Sequence, residues 1–245
     1  MRSLAGARAI VTGGSRGIGL AIAKHFASEG ASITLVGRDE ARLQTALQSL
    51  ALKPGLAHDT YALDVADQSG WHHLMKRMKT NNQKVDILIN AAGITQNSFL
   101  FKTGVPDIRE ILNTNLEGTI NGCQVVIKTM MQQKSGCIVN VSSLLATHAG
   151  RGASVYAASK AGIVGLTRAL AWEVGRFGIR VNVILPGYIQ TEMTASIAKS
   201  ANLESLIPLG RLGSAEEVAD AAAFLVKNPY AHNTVLNLDG GLSAT

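Results

Sequence analysis

Seven short apolar runs punctuate the chain, and helical patterns separate them. The runs are ARAIVT (7–12), SITLVG (32–37), TYALDV (60–65), VDILIN (85–90), CIVNVSS (137–143), RVNVIL (180–185) and VLNLD (235–239). Their hydrophobicity is nearly continuous, as expected of strands in a sheet covered on both faces. Between them, helical periodicity covers 18–29, 39–50, 68–80, 106–133, 155–175 and 214–226. The longest of these places Ile108, Leu112, Leu116, Ile120, Cys123, Val126 and Met130 along one side of a single amphipathic helix. Strands alternating with helices, joined by right-handed crossovers, predict an α/β fold: a doubly wound parallel sheet of seven strands. No repeat, low-complexity tract or break in composition divides the chain, so one domain is expected over 1–245. Residues 191–207 interrupt the alternation; they read as a partly helical lid over a site.

Composition narrows the classes. At 47% hydrophobic and 16% charged residues, the chain reads as a folded globular protein. No apolar run reaches the roughly 18 residues of a membrane span. Cys123 and Cys137 lack metal-ligand spacing, and the six histidines form no H-E-x-x-H pattern, so no metal is expected. Reduced thiols suggest a soluble intracellular protein of the cytoplasm or the mitochondrial matrix. The start is arginine-bearing and acid-poor, like a targeting segment, but a strand begins by about Ala7, so any such signal would be internal. The net charge of +6 includes only one short basic cluster, KRMK (76–79). That reads as a solvated helix face, not a nucleic-acid groove. A modest positive field does suit an anionic cofactor or an acidic carrier protein.

The first candidate chemistry is TGGSRGIG (12–19), directly after the first strand. Gly13, Gly17 and Gly19 allow a tight turn and close approach to a pyrophosphate, and the following helix offers its N–H groups to phosphate. No Lys-Ser or Lys-Thr follows, so it is not a Walker A loop. In a Rossmann-type sheet, the end of the second strand chooses between nucleotides. Here it reads VGRDE (36–40), with no carboxylate at Gly37 to repel a 2′-phosphate. Arg38 and Arg16 suit a phosphate clamp, which points to NADPH, although Arg38 also suits an ordinary helix start. Asp39 reads as the N-cap of the next helix.

The second is SVYAASK (154–160), with Tyr156 and Lys160 one helical turn apart. That spacing alone favours a plain helix stripe. Its position after the fifth strand puts it on the same side of the sheet as the glycine turn. NAAG (90–93), VSS (141–143) and PGYIQTEMT (186–194) come to the same edge.

Taken in order from Ala7 to Gly241, these segments resemble the short-chain dehydrogenase/reductase family. Within it, ILNTNLEGT (111–119), GYIQTEMT (187–194), IPLGRLGSAEEVA (207–219) and LDGG (238–241) are most like 3-oxoacyl-[acyl-carrier-protein] reductases and eukaryotic carbonyl-reductase-like members. The resemblance implies a catalytic tetrad of Asn115, Ser143, Tyr156 and Lys160, with Ser142 structural. For the cofactor it implies Gly13, Ser15, Arg16, Gly17, Ile18, Gly19 and Arg38, then Asp64 at the adenine with Val65. It adds Asn90 at the adjoining ribose with Ala91 and Gly93. Pro186, Gly187, Ile189 and Thr191 complete the nicotinamide side, where Tyr156 and Lys160 also bind.

The expected roles follow from residue chemistry. Negative charge grows on a carbonyl oxygen as hydride arrives, and Ser143 and Tyr156 are donors for it. A phenol titrates near 10, so bringing Tyr156 to about 7 takes roughly 4 kcal/mol of differential stabilisation. Lys160 and an oxidised nicotinamide would supply it jointly. Asn115 is an awkward helix residue on propensity grounds; the family role is to hold a water linking Lys160 to solvent.

The implied reaction is reduction of a 3-oxoacyl thioester in fatty acid synthesis, with general carbonyl or quinone reduction as the alternative. A non-catalytic subunit would not need the full tetrad. The expected pocket carries Ile94, Thr95, Gln96, Leu144, Leu145, Arg151, Val155 and Tyr188. Lys134 falls where relatives carry one carrier-docking arginine, but Phe177 occupies the other, beside Arg176. The resemblance also implies a homotetramer, paired through the helices that begin near Pro106 and Val155.

Overall fold

A computed structural model describes residues 3–195 and 203–244. The apolar runs become β1 (Arg8–Thr12), β2 (Ser32–Gly37), β3 (Asp59–Ala62), β4 (Ile87–Asn90), β5 (Gly136–Val141), β6 (Ile179–Pro186) and β7 (Val235–Leu238). They form one sheet in the order β3-β2-β1-β4-β5-β6-β7, parallel throughout. The chain winds outward from β1 to β3, then crosses back to lay β4 against the other side of β1. The order reverses between β1 and β4, so a crevice opens there at the carboxyl ends of the strands.

The helices are α1 (Gly17–Ser28), α2 (Glu40–Gln48), α3 (Gln68–Thr80), α4 (Val105–Leu112), α5 (Gly118–Gln133), α6 (Ser154–Val174) and α7 (Ala215–Lys227). Alternate strand residues feed two cores. Val11, Ile33, Ile89 and Val139 pack beneath α1, α2 and α7, while Ile10, Leu88, Ile138 and Val181 pack beneath α3, α5 and α6. Both faces are therefore buried, which accounts for the lack of polar alternation in the strands.

Helix starts follow local chemistry. Asp39 caps α2 by accepting from the Arg42 amide at 3.1 Å, as expected from sequence. Ser214 and Glu217 form a reciprocal capping box at α7. Neither α1 nor α6 has a side-chain cap at its N-cap residue, and both point at the crevice.

Two expectations change. The helix expected over 106–133 is interrupted by a π-helical turn at Asn113–Glu117. That wider turn rotates the following face, so Ile120 points outward, 39% exposed, while Thr119, Cys123, Val126 and Met130 line the core. The third strand stops at Ala62, which frees Leu63, Asp64 and Val65 to run along the crevice. Of the expected lid, 191–207, residues 196–202 lie outside the described residues.

Candidate active site

The glycine turn is built to let something close to its backbone. Gly13 has φ 65°, and a Cβ there would lie 2.9 Å from the Ala91 carbonyl oxygen. At Gly19 a Cβ would lie 2.4 Å from the Gly13 carbonyl oxygen, so α1 can begin only where that carbon is missing. Thr12 fastens this turn to the NAAG segment: its Oγ1 accepts from the amides of Ala91 and Ala92, both at 3.1 Å. Thr12 was not singled out from sequence, because its partners lie 79 and 80 residues away.

A groove of about 380 Å³ runs from this turn across the sheet edge. Gly13, Ser15, Arg16, Gly17, Ile18 and Gly19 form one wall, with Arg38, Asp64 and Val65 at one end. Ala91, Gly93 and Thr191 lie toward the other end. The uncapped start of α1 supplies amides to the same wall. Such a cradle, with arginines at the rim, fits a dinucleotide carrying an extra phosphate.

Three cofactor expectations shift. The Asn90 side chain turns into the sheet, donating to Asn140 Oδ1 at 2.9 Å and Cys123 Sγ at 3.4 Å. It braces β4 against β5, which leaves only its backbone for a ribose. Pro186 and Gly187 are tied to β7, Gly187 through its amide to the Leu238 carbonyl. The Ile189 side chain is buried in the core, so its backbone alone faces outward chemistry. In turn the groove gains Arg42 and Glu192. Arg16 Nη1 meets Glu192 Oε2 at 2.6 Å, Arg42 pairs with Asp39 at 3.3 Å and Arg38 with Glu110 at 3.9 Å. Every rim arginine thus has an acidic neighbour.

The tetrad residues converge at the Gly93 end. Ser143 follows β5, and its Oγ accepts from the Leu145 amide at 3.2 Å and faces the Tyr156 side chain. Lys160 Nζ donates to the Val141 carbonyl at 3.0 Å and lies 5.7 Å from the centre of the Tyr156 ring. Ser142, as expected, is structural: its hydroxyl donates to the Lys160 carbonyl at 2.7 Å. A methyl group on Gly93 would sit 3.4 Å from Lys160 Nζ and 3.3 Å from Asn115 Oδ1.

Asn115 lies in the π turn, and its side chain is fully engaged. Oδ1 accepts from the Ile94 amide at 2.8 Å, while Nδ2 donates to the Ile94 carbonyl at 3.0 Å and Ser159 Oγ at 3.1 Å. Ser159 in turn donates to the Tyr156 carbonyl at 2.6 Å. Asn115 therefore clamps the loop after β4 to the start of α6.

A family model described as enoyl-(acyl carrier protein) reductase matches residues 13–243. A 3-oxoacyl-[acyl-carrier-protein] reductase from Bos taurus is 42% identical over 235 residues, 96% of this chain and 97% of that one. Carbonyl reductase family member 4 from Xenopus laevis is 40% identical over 232 residues, 95% of this chain and 96% of that one. Among solved structures, a gluconate 5-dehydrogenase from Burkholderia cenocepacia J2315 in complex with NADP and tartrate superposes with a TM-score of 0.92. It is 31% identical, with 98% of this chain and 96% of that chain covered. The chain belongs to the short-chain dehydrogenase/reductase family.

As a short-chain dehydrogenase/reductase, it is an oxidoreductase, and its electrostatics can be read for that work. Burial alone brings Lys160 down from 10.5 to about 8. At neutral pH it remains mostly an ammonium. Tyr156 moves the other way: burial, the larger effect, raises it, and the hydrogen bond with Ser143 pulls it partly back. The protein groups around Tyr156 therefore keep it a protonated phenol. Without the nicotinamide's share of the charge, the balance at Tyr156 is upward, against the lowering that sequence assigned jointly to Lys160 and the oxidised nicotinamide. Among the described residues, no cluster of His, Cys, Asp or Glu could hold a metal.

Proposed function

We propose that this protein reduces the ketone of a 3-oxoacyl thioester to the 3-hydroxy product with NADPH. The observation that carries the reading is the pair of hydroxyls, Ser143 and Tyr156, beside Lys160 at the Gly93 end of the groove. When bound, the nicotinamide cofactor supplies the hydride. Arg16 and Arg38 would hold its 2′-phosphate, Gly13 to Gly19 its pyrophosphate, and Asp64 its adenine. Ser143 and Tyr156 donate to the oxygen as it gains charge, and Tyr156 transfers its proton to the alkoxide. Lys160 holds positive charge near the phenol, so that the phenolate left behind is stabilised.

The thioester is favoured by the likeness to the Bos taurus 3-oxoacyl-[acyl-carrier-protein] reductase. Phe177, partly exposed in place of a docking cation, favours a second reading, a general carbonyl or quinone reductase; the Xenopus laevis relative is named as a carbonyl reductase family member. Lys134, exposed at the end of α5, is the one docking cation retained. A panel of acetoacetyl-carrier protein, acetoacetyl-coenzyme A, simple diketones and quinones, assayed with NADPH and NADH, tests this. Higher kcat/KM on the carrier-bound thioester supports the first reading; higher kcat/KM on diketones or quinones supports the second. Tyr156→Phe should abolish turnover on whichever substrate is preferred.

A further inference from the structure

Tyr156 sits in the first turn of α6, and that helix begins without a cap of its own. Its N-cap residue is Ala153, which has no side-chain acceptor. The first amides of any helix need acceptors. Two of them, from Val155 and Tyr156, donate to Gln96 Oε1 at 2.8 and 3.2 Å. These are the second and third helical residues, the amides that an N-cap hydroxyl or carboxylate ordinarily serves. Gln96 reaches them from the segment after β4, 59 and 60 residues away in sequence, and is 6% exposed. The other end of its amide is fixed as well. Nε2 donates to the Ser98 carbonyl and to Thr103 Oγ1, both at 3.0 Å, so Oε1 is held facing α6.

We propose that Gln96 is a positioning residue for the reduction: it replaces the missing N-cap of α6 and so sets where the Tyr156 hydroxyl stands relative to Ser143. The inference rests on Tyr156 being the proton donor. Ser143 belongs to the β5 exit and Tyr156 to the helix start, so the two hydroxyls meet only if α6 begins in the right place. With Gln96 shortened, two buried amides lose their acceptor and the first turn is free to open. A displacement of about 1 Å at a reacting group is enough to cost on the order of a hundredfold in rate. The phosphate and adenine end of the groove is built by other elements, α1 and the ends of β2 and β3, so most of the binding of NADPH should be spared.

The test compares the full-length wild-type chain with Gln96→Ala, Gln96→Glu and Tyr156→Phe. It uses amide hydrogen exchange together with steady-state kinetics on the preferred ketone. In Gln96→Ala, exchange at Val155 and Tyr156 should quicken by about tenfold, the size of one lost cap. kcat should fall about tenfold to a hundredfold, with KM for NADPH within about twofold of wild type. Gln96→Glu keeps an acceptor for both amides, favoured at a helix start, but strips the donor from Ser98 and Thr103. It should recover most of kcat, which a general support of the loop would not explain. Unchanged exchange in Gln96→Ala, or a Gln96→Glu variant no better than Gln96→Ala, overturns the proposal. Exchange needs no substrate, so a wild type that reduces no ketone would remove the reductase reading while the cap is still judged.

Discussion

Lys160 is a buried ammonium with one hydrogen bond from its Nζ, to a backbone carbonyl, and that combination is costly to fold. Its folded value, about 8, lies below the ordinary 10.5. The unfolded chain therefore binds the extra proton between those values. The penalty is fully present below pH 8, and stability should rise by about 3 kcal/mol from this residue as pH climbs to 10.5. Lys160→Met should raise stability at pH 7 by about 1–3 kcal/mol in chemical denaturation. The same variant should lose activity by about a hundredfold or more. In the wild type, reduction should weaken as pH passes through about 8, when the ammonium is lost. Glu192 offers a second residue-level outcome. It pairs with Arg16 across the groove, both side chains more than half exposed, so it competes with any phosphate there. Glu192→Gln should tighten NADPH binding by about twofold to fivefold, as expected for an exposed pair, and leave NADH unchanged in a fluorescence titration.

At the scale of elements, Arg180 shows how a strand can end a helix. It lies in β6, 9% exposed, and its guanidinium donates to the carbonyls of Leu225 and Ala231 through Nη1, and of Val226 through Nη2. The carbonyls at the end of α7 thus receive a planar cation. Arg180→Met should lower stability by about 3 kcal/mol in urea unfolding, and Arg180→Lys should rescue little, since a point charge cannot serve the same fork. Sequence made Arg180 look like part of a strand and nothing more. It did make the strands and most helix limits legible, because burial on both faces leaves a continuous apolar signal. The π turn was not read, although it left a trace: the apolar row Ile108, Leu112, Leu116 slips phase after Asn115. Asn90 was misplaced for a related reason. It shares strand parity with Leu88, which packs toward α5, so its side chain goes toward Cys123 and not to the groove. That Ser143, Tyr156 and Lys160 come together was legible because their spacing is local or set by strand ends, while their roles rest on the resemblance. The pairings of Arg42 and Glu192 depend on tertiary approach, which periodicity does not encode.

Across the whole molecule, the apolar surface is unevenly spread. Trp172 on α6 is 92% exposed, and Ile120 on α5 is 39% exposed, while the cores beneath both helices are closed. Large apolar side chains left bare on two long helices suit a surface covered by further copies of the chain. The tetramer implied by resemblance would use this surface. Sedimentation should give a tetramer for the wild type, and Trp172→Glu should shift it to smaller species while a folded spectrum is kept.

The π turn also bears on how this chain tolerates changes in length. It holds one residue more than a regular helix needs between α4 and α5. Deleting Thr114 would let the helix regularise, and helix content should be unchanged or higher. The wide turn absorbs the extra residue, so α4 and α5 would keep their facing, but Asn115 would be drawn into a regular turn and would release Ile94. A shorter, better-formed helix would then accompany a dead enzyme, measurable as intact circular dichroism with no turnover. The surplus residue is thus a fixed length requirement in a segment that looks like uninterrupted helix.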